Sequence, residues 1–170
     1  MKPCPKARLM PADAAVMPQQ APPLQLCLRA DPLAVRHTLA RVMADPLLAR
    51  LDPDLRDRAE ILLAEVLNNI VEHAYAGQPG PIRLCIGPNP TGLLILAEDE
   101  GRPMPAARLP PGDLPPLTGD LPEGGFGWCL IRSLATSLTY RRGPNGNCLT
   151  LILPINDSAD SAGLARSQKN

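Results

Sequence analysis

Glu65, Asn69 and His73 stand four residues apart in the run Glu65-Val-Leu-Asn-Asn-Ile-Val-Glu-His-Ala-Tyr75. On an α-helix that spacing stacks side chains along one face. A carboxylate in such a row can orient a hydroxyl or take its proton. An asparagine oxygen can ligate Mg²⁺, a hard cation that prefers oxygen and keeps phosphates and waters as its other ligands. A histidine can donate to a phosphate. Taken alone, the row also fits an ordinary solvated helix face.

Two further segments carry comparable chemistry. Glu98-Asp99-Glu100-Gly101-Arg102-Pro103 closes an apolar run. A carboxylate at such a strand end can accept from the exocyclic amine of adenine, and a glycine beside it lets the backbone pass close to the base. The segment also reads as a charged turn, since Asp and Gly are common turn residues. Glu123-Gly-Gly125-Phe126-Gly127-Trp-Cys-Leu-Ile-Arg132 places glycines just before a short apolar stretch. Glycines that open a helix leave N–H groups free to face phosphate oxygens, and the helix dipole adds to the attraction. The GxxxxGK[ST] phosphate loop and the GxGxxG dinucleotide fingerprint are both absent, which argues against the two commonest nucleotide folds.

These residues need elements to hold them. Leu24 to Arg29 alternates weakly and predicts a first strand. Asp31-Pro32 is a helix start, because Asp caps free N–H groups and Pro suits the first turn. That helix should run to about Arg50, with a possible break at Asp45-Pro46. A second helix is predicted from Pro53 to Ala76. Turned at ~100° per residue, it puts Ala59, Leu63, Val66, Ile70 and Ala74 on one side and Glu65, Asn69, Glu72 and Ala76 on the other, with His73 at the border. Strands follow at Ile82–Ile86 and Leu93–Glu98. Residues 104–127 are crowded with Pro and Gly, so they form no regular element; a loop of that length is usually a functional lid or disordered. A helix from Trp128 to Ser137 and strands at Leu138–Arg142 and Cys148–Leu153 complete the order, the last two joined by the turn Gly143-Pro-Asn-Gly146. This predicts an α+β two-layer sandwich: a mixed, mostly antiparallel sheet covered on one face by about three helices. Residues 1–23 read as a flexible Pro/Ala-rich arm, 24–154 as the domain, and 155–170 as a polar tail.

Composition narrows the function. Apolar residues make up 45% of the 170, but only Tyr75, Phe126, Trp128 and Tyr140 are aromatic, so aliphatic side chains must build the core. With 17 basic and 17 acidic residues the formal net charge is zero. That offers no field for direct nucleic-acid binding. The five cysteines are widely spaced and form no CxxC pair, so they read as scattered thiols rather than a zinc site or a disulfide framework. No apolar run approaches a membrane span and no signal peptide is apparent, so a cytoplasmic location is expected.

In this order and spacing the segments resemble the GHKL (HATPase) family, and within it the anti-sigma-factor serine kinases. Glu65 to Tyr75 is similar to the N box of that branch. Asp99-Glu-Gly101-Arg-Pro103 is similar to its first glycine box. Leu109-Pro-Pro-Gly-Asp-Leu114 with Glu123 to Arg132 resembles its lid and second glycine box, and Tyr140-Arg-Arg142 with Gly146 to Leu151 resembles its terminal hairpin. The resemblance implies the Bergerat ATP-binding fold, with ATP and Mg²⁺ as cofactors. Glu65 would be the general base for a protein serine hydroxyl, and Asn69 would hold Mg²⁺. His73, Asp99, Gly101, Pro103, Gly125, Phe126, Gly127 and Thr150 would complete the nucleotide site, with Asp99 reading the adenine amine and Thr150 sharing that contact through water. The implied partners are a STAS-domain anti-anti-sigma protein and a sigma factor or other regulatory protein, and the implied assembly is a homodimer. Two residues depart from the pattern. Thr136 stands where many relatives carry an acid, and Phe126 where a smaller aliphatic is usual.

Two other classes compete with a kinase. A non-catalytic module could use ATP only to sequester a partner, although the presence of Glu65 argues against that. A histidine kinase catalytic domain would need an upstream dimerisation helix, for which the residues before Leu24 are too few; His37 in the first helix reads as a surface residue.

Overall fold

The computed structural model describes residues 22–112 and 126–154. Three Asp-Pro pairs start three helices in the same way. Asp31 precedes α1 (Pro32–Ala44) and accepts from the N–H of Leu33 and Ala34 at 2.9 and 3.0 Å. Asp45 accepts from Leu47 N–H at 2.9 Å to open the four-residue α2 (Pro46–Ala49). Asp52 does the same for α3 (Pro53–Asn69), through Asp54 N–H at 3.0 Å. In each case proline supplies a preset φ and has no N–H to leave unpaired. Pro46 also disfavours a helical Asp45, so the single helix expected to reach Arg50 is two helices.

α3 does not continue as an α-helix to Ala76. Ile70–Ala74 form a π-turn, closed by Tyr75 N–H donating to Ile70 C=O at 3.0 Å. The wider turn inserts one residue into the helical count. Ala59, Leu63, Val66 and Ile70 are buried as the periodicity requires. The next core position falls to Tyr75 instead of Ala74, which is only half-buried. Tyr75 Oη then donates to Pro81 C=O at 2.6 Å and accepts Glu100 N–H at 2.9 Å, tying the helix end to the two adjoining loops. Gly80 packs against the Tyr75 ring, leaving no space for a β-carbon.

The strands β1 (Leu24–Arg29), β2 (Pro81–Asn89), β3 (Gly92–Asp99), β4 (Ser137–Gly143) and β5 (Gly146–Pro154) form one sheet in the order β1-β2-β3-β5-β4. This is the expected α+β sandwich, and the sheet expected to be mostly antiparallel is antiparallel at every pairing among the described strands. The reason lies in the helical excursion. Arg29 at the end of β1 pairs with Pro81 at the start of β2, so α1 to α3 return the chain to the point it left.

Register fixes the two faces of the sheet. Ile82, Leu84 and Ile86 pair across to Asp99, Ala97 and Ile95, and Asp99, Ala97, Ile95 and Leu93 pair to Asn147, Leu149, Leu151 and Leu153. All of these are buried beneath the helices, with Leu62, Leu63, Leu67 and Ile131 packed into the same cluster. The alternate positions, including Cys85, Leu96, Cys148 and Thr150, lie on the other face and are half-buried. Cys27 on β1 is disulfide-bonded, contrary to the expectation of scattered thiols, while Cys85, Cys129 and Cys148 are free.

Candidate functional site

A cavity of about 570 Å³ opens between the end of α3, the end of β3, the start of β5 and the start of α4 (Gly127–Leu134). Its wall is largely apolar, with Leu149, Trp128, Met104 and Pro103 among its residues. Polar groups enter it from two ends, and the size suits a small-molecule site.

At the sheet end, Asp99 and Asn147 are direct cross-strand partners on β3 and β5, both buried. Asn147 Nδ2 donates to Asp99 Oδ1 at 2.7 Å and to Arg102 C=O at 2.9 Å. Gly101 N–H donates to the same Asp99 Oδ1 at 2.8 Å. On its other side, Asn147 Oδ1 accepts from Tyr140 Oη at 2.6 Å and from Arg142 Nη1 at 3.0 Å. Arg142 Nη1 also donates to Gly101 C=O at 2.8 Å, and Tyr140 Oη accepts Met104 N–H at 3.0 Å. Burial pushes the Asp99 carboxyl above the usual carboxylate range. The bonds from Asn147 and Gly101 and the Arg142 charge oppose that rise, and Glu100 adds to it.

At the helix end, Asn69 lines the cavity, and its Nδ2 is buried with no hydrogen-bond partner among the described residues. An unpaired buried amide is costly in a folded protein, so such an atom commonly marks a missing ligand or water. Glu65 lies one turn earlier on α3. A β-carbon built on Gly127 would stand 2.6 Å from Glu65 Oε2 and 3.6 Å from Asn69 Nδ2. α4 therefore begins directly over this pair, and no side chain caps its first turn.

Of the residues picked from the sequence, the cavity brings together Asn69, His73, Asp99 and Pro103. Glu65 borders this group beyond Asn69 without lining the wall. Gly101 sits behind the wall, where a β-carbon would come within 2.6 Å of Ala74 C=O. Its bareness thus serves the packing of the loop on the π-turn, reinforced by Arg102 N–H donating to that carbonyl at 2.8 Å. Phe126 is exposed at the start of α4 and Gly127 is the first helical residue. Gly125 and most of the expected lid, residues 113–125, lie outside the described residues.

Thr150 is not brought to the cavity. It shares the opposite face of the sheet with Cys148, whose Sγ is 3.9 Å from the Thr150 hydroxyl. Asn147 occupies the place assigned to it. The signal was present in the alternation of β5: Asn147 has the same parity as Leu149, Leu151 and Leu153, so it is a polar residue in the row that must face the core. Tyr140 and Arg142 had no comparable signal, because their partners come from β5 and from the loop after β3.

Residues 28–153 match the family described as the histidine kinase-like ATPase domain. The chain belongs to that family. ATP is therefore the ligand for which this ATPase-type domain is built. The cavity fits it, with a buried acceptor at one end, an unpaired amide and an uncapped helix at the other, and apolar walls between. The structure of the RsbU and RsbW domains of Rv1364c from Mycobacterium tuberculosis superposes with a TM-score of 0.53 at 20% identity, covering 79% of this chain and 33% of that one. The chain thus spans about a third of the length of that structure, and the likeness is one of fold. No curated protein matches the chain by sequence. Among the described residues, no helix is long and apolar enough to cross a membrane.

Proposed function

We propose that the chain is a Mg²⁺-ATP-dependent protein serine kinase acting as a partner switch. It would phosphorylate a serine on a STAS-type anti-anti-sigma antagonist, and bind either that antagonist or a sigma factor or other regulatory protein. The observation that carries the reading is the buried, unpartnered amide of Asn69 one helical turn from Glu65, at the opposite end of the cavity from Asp99.

Each role follows from what the side chain can do. Asp99 accepts the exocyclic amine of the base, and Leu149, Trp128 and Met104 exclude water around the ring. A half-turn of the Asn69 amide exchanges its nitrogen for its oxygen, so the same group can offer an oxygen to Mg²⁺ or an N–H to a phosphate. Mg²⁺, when bound, neutralises phosphate charge and so favours displacement at the terminal phosphorus. Glu65 orients the incoming serine hydroxyl and accepts its proton. The N-terminus of α4 supplies positive potential beside them. A cytoplasmic homodimer is the assembly we assign to it.

Glu65 also supports a second reading. Its Oε2 faces Gly127 and it is not part of the cavity wall, an arrangement that suits a module in which ATP controls partner binding without transfer. Labelled ATP incubated with STAS-domain candidates separates the two. Transfer to a serine that disappears in Glu65→Gln supports the kinase; binding of ATP and partner with no transfer supports the module. Asn69→Ala should lower ATP affinity in Mg²⁺ and leave little Mg²⁺ dependence.

A further inference from the structure

Asn147 sits where a polar residue interrupts an apolar row, and its amide has no rotational choice. Tyr140 Oη and Arg142 Nη1 both donate to Oδ1, at 2.6 and 3.0 Å. Turning the amide over would set its N–H₂ against two donors. Nδ2 must therefore face Asp99 and Arg102 C=O, which it does at 2.7 and 2.9 Å. The Gly101 N–H bond at 2.8 Å falls on the same Asp99 oxygen, Oδ1. Asp99 lines the cavity, so a ligand reaching it finds Oδ2 as the acceptor not engaged by Asn147 or Gly101.

Resting on the ATP-binding reading, we propose that Asn147, locked by Tyr140 and Arg142, is the positioning residue that holds Asp99 with one oxygen engaged and one presented to the cavity, which sets the preference for an amino-bearing purine edge over a keto-bearing one. Adenine offers an amine donor to Oδ2. Guanine would bring an oxygen against the carboxylate where adenine brings a donor, which disfavours it at this position. The lock does a second task. Tyr140 accepts from Met104 N–H, Arg142 donates to Gly101 C=O and Asn147 donates to Arg102 C=O, so one cluster holds the backbone from Gly101 to Met104 that forms the rim of the cavity.

Asp99 reads amines only as a carboxylate. Once protonated, Oδ2–H would be a donor set against a donor. The groups around it are Arg142 and Tyr140 on β4, Glu100 and Arg102 after β3, Arg83 on β2, and Glu72, His73 and Tyr75 at the π-turn. Among them, Arg142 and the Asn147 amide favour the ionised form, and burial and Glu100 oppose it. Adenine binding should therefore be lost as pH falls through the Asp99 titration. Removing the Asn147 amide should move that loss to higher pH.

The experiment compares wild type, Tyr140→Phe and Asn147→Ala. It measures ATP and GTP affinity from pH 5 to 8, and follows the Asp99 carboxyl carbon by NMR titration of the free protein. In Asn147→Ala, ATP affinity should fall about tenfold, the range for one charge-assisted bond. The ATP/GTP ratio should narrow, and both the acid limb and the NMR midpoint should rise. Tyr140→Phe keeps one of the two locking donors and should show a smaller change in the same direction, and it serves if Asn147→Ala fails to fold. Unchanged selectivity and an unmoved Asp99 midpoint in a folded variant would overturn the proposal. If wild type binds no adenine nucleotide, the ATP reading fails separately, and the NMR midpoint still decides whether Asn147 holds the Asp99 carboxylate.

Discussion

Where β3 meets β5, Asp99, Asn147, Tyr140 and Arg142 bond one another and the loop beside them, whereas where α3 meets α4, the Asn69 amide has no described partner and the α4 N-terminus has no side-chain cap. The two ends of one cavity are thus finished to different degrees. The sheet end satisfies its polar groups internally, so it can present a fixed acceptor at little further ordering cost. The helix end leaves polar groups unsatisfied, and this is where a charged ligand would stabilise the protein most. A site that must grip one part of a ligand and act on another has reason to be built this way.

The contrast can be tested by mutation. Glu65→Gln should have the largest effect, a loss of phosphoryl transfer of about 10²–10⁴-fold with nucleotide affinity nearly unchanged; single-turnover transfer and calorimetry on one preparation measure both. Asp99→Asn should weaken ATP binding by about 10²-fold, because a buried acceptor becomes an amide that can no longer discriminate. It should also stabilise the fold. The raised Asp99 titration means that the ionised form costs stability, a cost absent at low pH and fully present above the folded-state value. At neutral pH the melting temperature should rise, and the gain should vanish at low pH. A drop would show that the carboxylate is a net structural asset.

Gly127→Ala probes the helix end from α4. Its β-carbon would press on Glu65 Oε2, the mobile tip of a side chain, so the fold should tolerate it. Alanine also favours a helix over glycine by up to about 1 kcal/mol. Transfer should fall by about tenfold through displacement of the carboxylate, with ATP affinity held. Thr150→Val should do least. On the far face of the sheet it should leave ATP affinity within about twofold, and a larger loss would return Thr150 to the nucleotide site.

How much of this was readable beforehand depended on the range of the signal. The helix starts at Asp31-Pro32 and Asp52-Pro53, the alternating strands and the β4–β5 turn are local, and the structure places them close to expectation. Asn69 and His73 come from one segment and Asp99 and Pro103 from another, and their meeting was legible because each segment lies at the end of a recognisable element. Thr150 came from the family resemblance alone, and the alternation of β5 puts it on the face away from the cavity. The core place expected for Ala74 goes to Tyr75, because composition does not announce a π-turn. The Tyr140–Asn147–Arg142 lock joins two strands and a loop, and such contacts exist only once the hairpin has closed on β3.

The π-turn at Ile70–Ala74 bears on how this gene segment can vary in length. Deleting one residue there would restore an ordinary helical count and leave everything after it in place, because Tyr75 would follow Ile70 by four residues, as the core face of an α-helix requires. Tyr75 would then keep Pro81 and Glu100 within reach, whereas a further inserted residue would swing it away from them by about 100°. Between Ile70 and Tyr75 a one-residue deletion should therefore be better tolerated than a one-residue insertion, and a library of single deletions and insertions across residues 66–80 would show that asymmetry at the turn; equal intolerance of both would count against it.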